Sequence, residues 1–349
     1  MSLPESIPSA VVFGCGGTEA APEEVAVFAA VRPAGFILFA RNCDNPGQVR
    51  ALTAALREAA GNPDALVLID QEGGRVARLR PPHWRKPPPA AAFGRVWRHD
   101  QRLAVEAARA NASLIGLELA SLGIDTDCAP VLDLGLPDMT AAIGDRAFAA
   151  DPEAVAALGR ATVDGLLDAG VLPVIKHIPG HGRARADSHR VLPRVDALRD
   201  LLEASDFAPF RAMADAPAAM TAHVAYDALD PGIAATLSNR VITHTIRGTI
   251  GFDGLLFSDD ICMGALAGSH RDRTAAALAA GCDLALHCSG VLAEMEDIAA
   301  YIPPLAVGAR ARLRSALQRR HEAERTLDRA ALLSTLARAG LADIDGQGA

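Results

Sequence analysis

The sequence predicts an α/β protein, a single-domain TIM (β/α)8 barrel, on three observations. Short β-rich apolar runs recur along the chain, Ala-, Leu- and Arg-rich stretches of helical period separate them, and polar residues close most of the apolar runs. Strands are expected at 11–14, 35–39, 65–69, 124–128, 172–175, 218–221, 254–257 and 283–286. Helices are expected at 22–31, 46–60, 100–121, 152–169, 198–213, 238–248 and 272–280. Asn45-Pro46 and Asp151-Pro152 each place an N-cap residue before a first-turn proline. Eight strand-then-helix units suit a closed parallel barrel, because each crossover helix covers the outside of the strand pair it joins; a doubly wound open sheet also gives alternation. Residues 1–302 are assigned to the barrel, and 303–349 to C-terminal helices that pack on it without forming a separate domain.

Composition narrows the function classes. With 50% apolar and 22% charged residues over 349 positions, the chain has ample material for a core. A net charge of −8 gives no basic face for nucleic acid. No apolar run reaches the roughly 18 residues that a membrane span needs, so no membrane partner is expected. The N-terminal MSLPESIPSA has no basic stretch followed by an apolar one, which predicts no secretory signal and a cytoplasmic protein. Cys15, Cys43, Cys128, Cys262, Cys282 and Cys288 form no CxxC pair and read as buried free thiols. No cofactor is expected.

A barrel demands that functional groups gather where the strands end, since the βα loops build the active face. Asp70 follows ALVLI, Asp127 lies in IDTDCAP, Lys176-His177 follow LPVI, His223 follows AAMTA, Asp259-Asp260 follow GLLFS, and His287 ends DLAL. The densest segment runs from Lys176 through KHIPGHG to Asp187-Ser188-His189; its glycines and proline force a turning loop. His177, His181, Asp187 and His189 offer enough donors for zinc, against which stand the broken helix and the neighbouring Lys176 charge. Alternatively, Asp187 and His189 form a dyad in which the carboxylate fixes one imidazole tautomer and supports its protonated form. At the seventh strand's end, an aspartate of the Ser258-Asp259-Asp260 run can serve as a nucleophile, as an N-cap or in a Mg²⁺ site. Asp70, followed by Gly73-Gly74 and then Arg75 and Arg78, can accept hydrogen bonds from sugar hydroxyls while arginine donates to others.

Taken together these segments resemble glycoside hydrolase family 3, in its bacterial β-N-acetylhexosaminidase branch of the muropeptide-recycling type. The resemblance runs from about Val11 to Gly290 and rests on KHIPGHG with DSH, LIDQEGGRVARL, AIGDRAF and FSDDICMGAL. One departure is Ile178, where the family often has phenylalanine. The resemblance implies Asp259 as the catalytic nucleophile, His189 as acid/base and Asp187 as its orienting partner. It implies that Asp70, Arg78, Arg146, Lys176 and His177 bind an N-acetylglucosamine unit. The reaction it implies is retaining removal of terminal N-acetyl-β-D-glucosamine from anhydro-muropeptide fragments in the cytoplasm, through a covalent glycosyl-Asp259 intermediate. Phosphorolysis with the same residues is the alternative, because a neutral histidine base does not repel an incoming anion and Arg183 and Arg185 share its loop. A zinc-dependent hydrolase is a further one. Trp84 and Trp97 are the sole tryptophans, which suits a short exo-acting pocket better than a long cleft. The loop's glycines and proline suggest that His189 swings into place when substrate binds.

Overall fold

Each of the eight apolar runs forms a strand in the computed structural model, which describes residues 7–342. The strands are β1 (Ser9–Gly14), β2 (Pro33–Leu38), β3 (Leu66–Ile69), β4 (Thr126–Asp127), β5 (Leu172–Ile178), β6 (Ala218–Thr221), β7 (Leu255–Asp260) and β8 (Leu284–His287). They are parallel, each pairs with its neighbour in sequence, and β8 pairs with β1 to close the barrel. The first and last stretches of the expectations above, residues 1–6 of the N-terminal segment and 343–349 of the tail, lie outside the described residues.

Why the strands read as nearly continuous apolar runs is visible in their packing. Alternate residues serve two different cores, so neither face tolerates charge. Val12, Leu68, Val174, Met220, Phe257 and Leu286 meet inside the barrel. Val11, Phe13, Val67 and Ile69 instead face the surrounding helices, packing with Phe28, Leu52 and Leu119.

The crossover helices form from local signals. Helix Pro46–Ala59 begins with the Asn45 side chain accepting from the Gln48 amide at 3.0 Å. Helix Pro152–Asp168 begins with Asp151 accepting from Glu153 and Ala154. Helix Pro22–Val31 matches its expected range, and Gln101–Ala120 lies within one residue of it at each end.

Three differences have physical causes. The helix expected over 198–213 is broken into Arg199–Ala204 and Ala208–Ala212. At the break, buried Asp206 accepts from Arg183 Nε at 2.6 Å, a long-range bond that a continuous helix would have to carry on its own face. The helix expected over 238–248 is a π-helix, Val241–Ile250; it starts later than expected, after Ser238, whose hydroxyl accepts from the Val241 amide at 3.0 Å. Helices Ala90–Trp97 and Leu292–Ala299 and the hairpin Gln71–Gly73/Val76–Ala77 were not foreseen. All six thiols are free; Cys43 and Cys262 are only partly buried, whereas the other four are buried.

Helix Val307–Ala323 sits across the N-terminal ends of the strands. Arg312 pairs with Asp253 and Asp283 just before β7 and β8, at 3.0 and 3.2 Å. Arg320 pairs with Asp125 just before β4 at 2.9 Å. Its apolar side, with Ala309 and Ala316 buried, joins the interior cluster of the barrel. Helix Arg329–Arg338 lies against Gln101–Ala120, where Leu336 is buried and Arg338 reaches Glu106 at 2.6 Å. The bottom of the barrel is thereby covered, and the top is left to the loops.

Candidate active site

At the C-terminal end of β3, Asp70 is held by two cations. Lys176 Nζ donates to Oδ1 at 2.7 Å and Arg78 Nη2 to Oδ2 at 2.9 Å. The hairpin after β3 is what returns Arg78 over Asp70. Its turn uses Gly73 and Gly74 at φ 101° and 57°, and a Cβ on Gly73 would lie 2.4 Å from the Pro88 carbonyl oxygen. Gln71 fastens the hairpin, its side chain accepting from the amides of Arg78 and Leu79.

Glu72 of the same hairpin takes Arg146 in a bidentate pair, both contacts at 2.8 Å, and Lys176 Nζ at 2.7 Å. Lys176, only 2% exposed, therefore bridges two carboxylates. Burial alone would push Asp70 and Glu72 upward, yet the adjoining cations win: Asp70 is held well below the usual carboxylate range and Glu72 at about 2. By the same balance, burial would discharge Lys176 and the two carboxylates keep it protonated.

A second network lies behind β5. His177 Nδ1 is 2.6 Å from Oδ2 of fully buried Asp133, and the His181 amide donates to Asp133 Oδ1, also at 2.6 Å. The peptide joining Lys176 to His177 is cis. The His181 ring packs edge-on to that of His177 with centroids 5.7 Å apart, and burial pulls its pKa down to about 4. Gly182 then passes so close that a Cβ there would meet the Leu134 carbonyl oxygen at 2.5 Å.

β7 presents the third group. Asp259 is 9% exposed, its amide donating to Thr221 Oγ1 at 3.2 Å. Its Oδ1 accepts from the Asp260 amide at 2.8 Å. Burial works to raise its pKa, but His223, His177, the Asp260 amide and Lys176 hold it below the ordinary value. Asp260 has other obligations: its Oδ1 accepts from the Cys262 and Cys288 amides at 2.9 and 3.3 Å, tying the two following loops together.

Asp187 and His189 lie on the long loop after β5. Asp187 Oδ1 takes both the His189 amide at 3.0 Å and its Nδ1 at 2.8 Å, so the carboxylate fixes backbone and ring at once. Burial works to raise the pKa of Asp187, but these two bonds hold it low. The His189 side chain is 66% exposed. The loop is anchored on both sides of the dyad. Tyr226 Oη donates to the Gly180 carbonyl at its start, and Arg194–Val195 pairs with Ala225–Tyr226 at its end. In between, the Gly264 and Ala265 amides, from the loop after β7, donate to the His189 and Ser188 carbonyls, both at 3.1 Å.

All eight residues singled out in the sequence, Asp70, Arg78, Arg146, Lys176, His177, Asp187, His189 and Asp259, line one cavity of about 430 Å³ at the top of the barrel. Glu72 and Asp133 also belong to the site and carried no expected role. Their signal was present: Glu72 is the second acid in a strand-end DQEGG, and Asp133 closes the apolar run APVL. The four donors offered for zinc do not converge. Among the described residues, only Cys262, His270 and Glu294 bring three donor atoms within 4.8 Å of one another. Arg183 is committed to Asp206, Arg185 is exposed with Asp138 at 3.8 Å, and neither lines the cavity.

Residues 11–321 match the glycosyl hydrolase family 3 N-terminal domain. The chain is 43% identical over 283 residues to a β-hexosaminidase of Alkalilimnicola ehrlichii, spanning 80% of each chain. It is 40% identical over 282 residues to a β-hexosaminidase of Pseudomonas aeruginosa, covering 80% of this chain and 82% of the other. Among solved structures, NagZ from Neisseria gonorrhoeae in complex with N-trifluoroacetyl-D-glucosamine superposes with a TM-score of 0.86 at 32% identity, covering 98% of this chain and all of that one.

Proposed function

The chain belongs to glycoside hydrolase family 3 and is a β-hexosaminidase, and we propose that it is a retaining exo-β-N-acetylglucosaminidase acting on N-acetylglucosamine-containing muropeptide fragments in the cytoplasm. The observation that carries this reading is the pairing of an enclosed, ionised Asp259 with an exposed Asp187–His189 dyad across one sugar-sized cavity.

In this reading Asp259 attacks the anomeric carbon. One of its oxygens is occupied by the Asp260 amide, which orients the carboxylate, and the depressed pKa keeps it anionic at neutral pH. Asp260 is a poor rival because its carboxylate is bound to loop amides. Asp70, Lys176 and Arg78 form a polar end of the cavity, with fixed donors and acceptors for ring hydroxyls. Arg146 is held by Glu72 and the Ala142 carbonyl, and His177 by Asp133, so both meet the sugar in fixed orientations.

His189 protonates the leaving oxygen in the first step and takes a proton from water in the second. With Nδ1–H directed at Asp187, Nε2 is the atom that exchanges the proton. Exposure of this ring on a loop suits a group that has to meet aglycones of varied shape. Arg183 and Arg185 stand outside the cavity, which favours water over phosphate as the second nucleophile.

The test is initial rates on 4-nitrophenyl glycosides of N-acetyl-β-glucosamine and β-glucose, with EDTA and with phosphate added separately, on the wild type and on Asp259→Asn. The expected result is release from the N-acetyl substrate alone, unaffected by either addition and lost in the variant. Undiminished turnover by Asp259→Asn overturns the nucleophile assignment; strong phosphate stimulation reassigns the enzyme as a phosphorylase.

A further inference from the structure

Behind the catalytic aspartates, the loops after β7 and β8 and the two helices that follow them bring together side chains that the reaction does not use. Cys262 stands two residues after Asp260, His270 opens helix His270–Ala280, and Glu294 lies in the first turn of helix Leu292–Ala299. One donor atom from each, a thiol sulfur, an imidazole nitrogen and a carboxylate oxygen, lies within 4.8 Å of the others. His270 Nε2 is 3.9 Å from Glu294 Oε2.

A second layer backs these three. His287, with no exposed surface, points Nε2 at Glu294 Oε2 from 3.1 Å, and the Ser289 hydroxyl donates to the same oxygen. The His287 ring lies edge-on to that of His270, centroids 5.6 Å apart. Its Nδ1 has no partner among the described residues, while its Nε2 also lies 3.2 Å from the Ser289 hydroxyl and the ring packs edge-on to Phe13, so the ring is fixed in place beside the carboxylate and the second imidazole. Arg273 donates to the carbonyls of Ile261 and Met263 and pins the segment that carries Cys262 from both sides. An oriented carboxylate supported by a buried histidine is the outer-shell arrangement that metal sites use.

We propose that Cys262, His270 and Glu294 form a divalent-metal site, selective for zinc, distinct from the catalytic cavity. Tetrahedral zinc with bonds of about 2.0 Å to nitrogen or oxygen and about 2.3 Å to sulfur holds its ligand atoms roughly 3.3–3.6 Å apart. The donors therefore need to close by about 1.5 Å at most, and rotation of partly exposed His270 and Glu294, at 25% and 29%, can supply that. A mixed sulfur, nitrogen and oxygen set favours zinc over magnesium or calcium. On binding, the Cys262 S–H bond breaks, its proton leaves to solvent and the sulfur lone pair enters the bond to the metal. Thiolate and carboxylate together then neutralise the dication, and solvent fills the fourth position. Because the Cys262 amide is also hydrogen-bonded to Asp260, an occupied site stiffens the turn that follows the nucleophile.

Cobalt(II) titration of the EDTA-treated full chain tests this, since a thiolate ligand gives an intense near-ultraviolet charge-transfer band that carboxylates and imidazoles do not. The expected result is a band saturating at one cobalt per chain and displaced by zinc. It should be absent in Cys262→Ser and retained in His189→Ala. In His270→Ala, zinc affinity measured by competition with a chelating dye should fall by about 10- to 100-fold. No band on the wild type, a band that survives Cys262→Ser, or full zinc affinity in His270→Ala overturns the proposal.

Discussion

Asp127, at the end of β4 beside Asp70, Glu72 and Lys176, gives the sharpest test of the electrostatics. The residue is 1% exposed; Oδ1 accepts from the Gln71 amide at 2.9 Å, and Oδ2 has no partner among the described residues. Burial, chiefly, raises its pKa from the ordinary 3.8 to about 7, with Asp70 and Glu72 adding repulsion that Lys176 partly offsets. Between those two values the folded protein keeps a proton that the unfolded chain releases, so stability is greatest at low pH and falls as pH rises toward 7. At about 1.4 kcal/mol per pH unit, the loss from pH 5 to pH 8 is about 2.5 kcal/mol, most of it below pH 7. Asp127→Asn keeps the acceptor for Gln71 and removes the titration. Thermal melts of both proteins across that range, subtracted, cancel every other titrating group. With roughly 2 °C per kcal/mol for a chain of this size, the variant should gain on the wild type by about 5 °C between pH 5 and pH 8. A difference curve that stays flat, or slopes the other way, refutes the argument that burial controls this carboxyl.

Glu72→Gln tests the opposite sign. A carboxylate held at about 2 rather than 4.5 stabilises above the upper value and loses that contribution as pH falls toward the lower one. The variant should be about 3 kcal/mol less stable at neutral pH by denaturant unfolding, with the deficit closing in acid; a deficit independent of pH counts against the account. Asp187→Ala should lower kcat/KM by about 10²- to 10⁴-fold while shifting Tm by a degree or less, since the dyad is exposed. A large loss of Tm with unchanged rate would make the pair structural. Gly182→Ala should lower both Tm and kcat, by about 1–3 kcal/mol in stability, because its Cβ meets the Leu134 backbone.

The parallel sheet was legible because its strands end in polar residues, which parallel strands turn toward one edge, and eight strand-then-helix units suited its closure into a barrel. Asp70, Lys176 and Asp259 could be placed there from position alone, since each directly follows or ends an apolar run. Spacing does not distinguish Asp259 from Asp260; what sets them apart is that the Asp260 carboxylate accepts from the amides of Cys262 and Cys288, the latter 28 residues away. Asp133 closes an apolar run, but its pairing with His177, 44 residues on, has no local mark. Helix Ala90–Trp97 escaped because it follows the run KPPPA and is only eight residues long. The π-helical segment differs from an α-helix in hydrogen-bond pattern, to which apolar periodicity is blind over ten residues.

The docking of the dyad loop onto Gly264 and Ala265 has a consequence for engineering this scaffold. The proposed acid/base, His189, is encoded after β5, yet its backbone is gripped by the loop after β7 and its loop's ends by Tyr226 and the Ala225–Tyr226 bridge. The unit of transplantation is thus three separated stretches of sequence. A chimaera that exchanges residues 179–195 alone inherits the Asp187–His189 pair without its seat, while one that carries 223–226 and 262–265 as well transfers a complete module. Recombination between family members should therefore respect this triple boundary, and crossovers placed between β5 and β7 should be the ones selection discards.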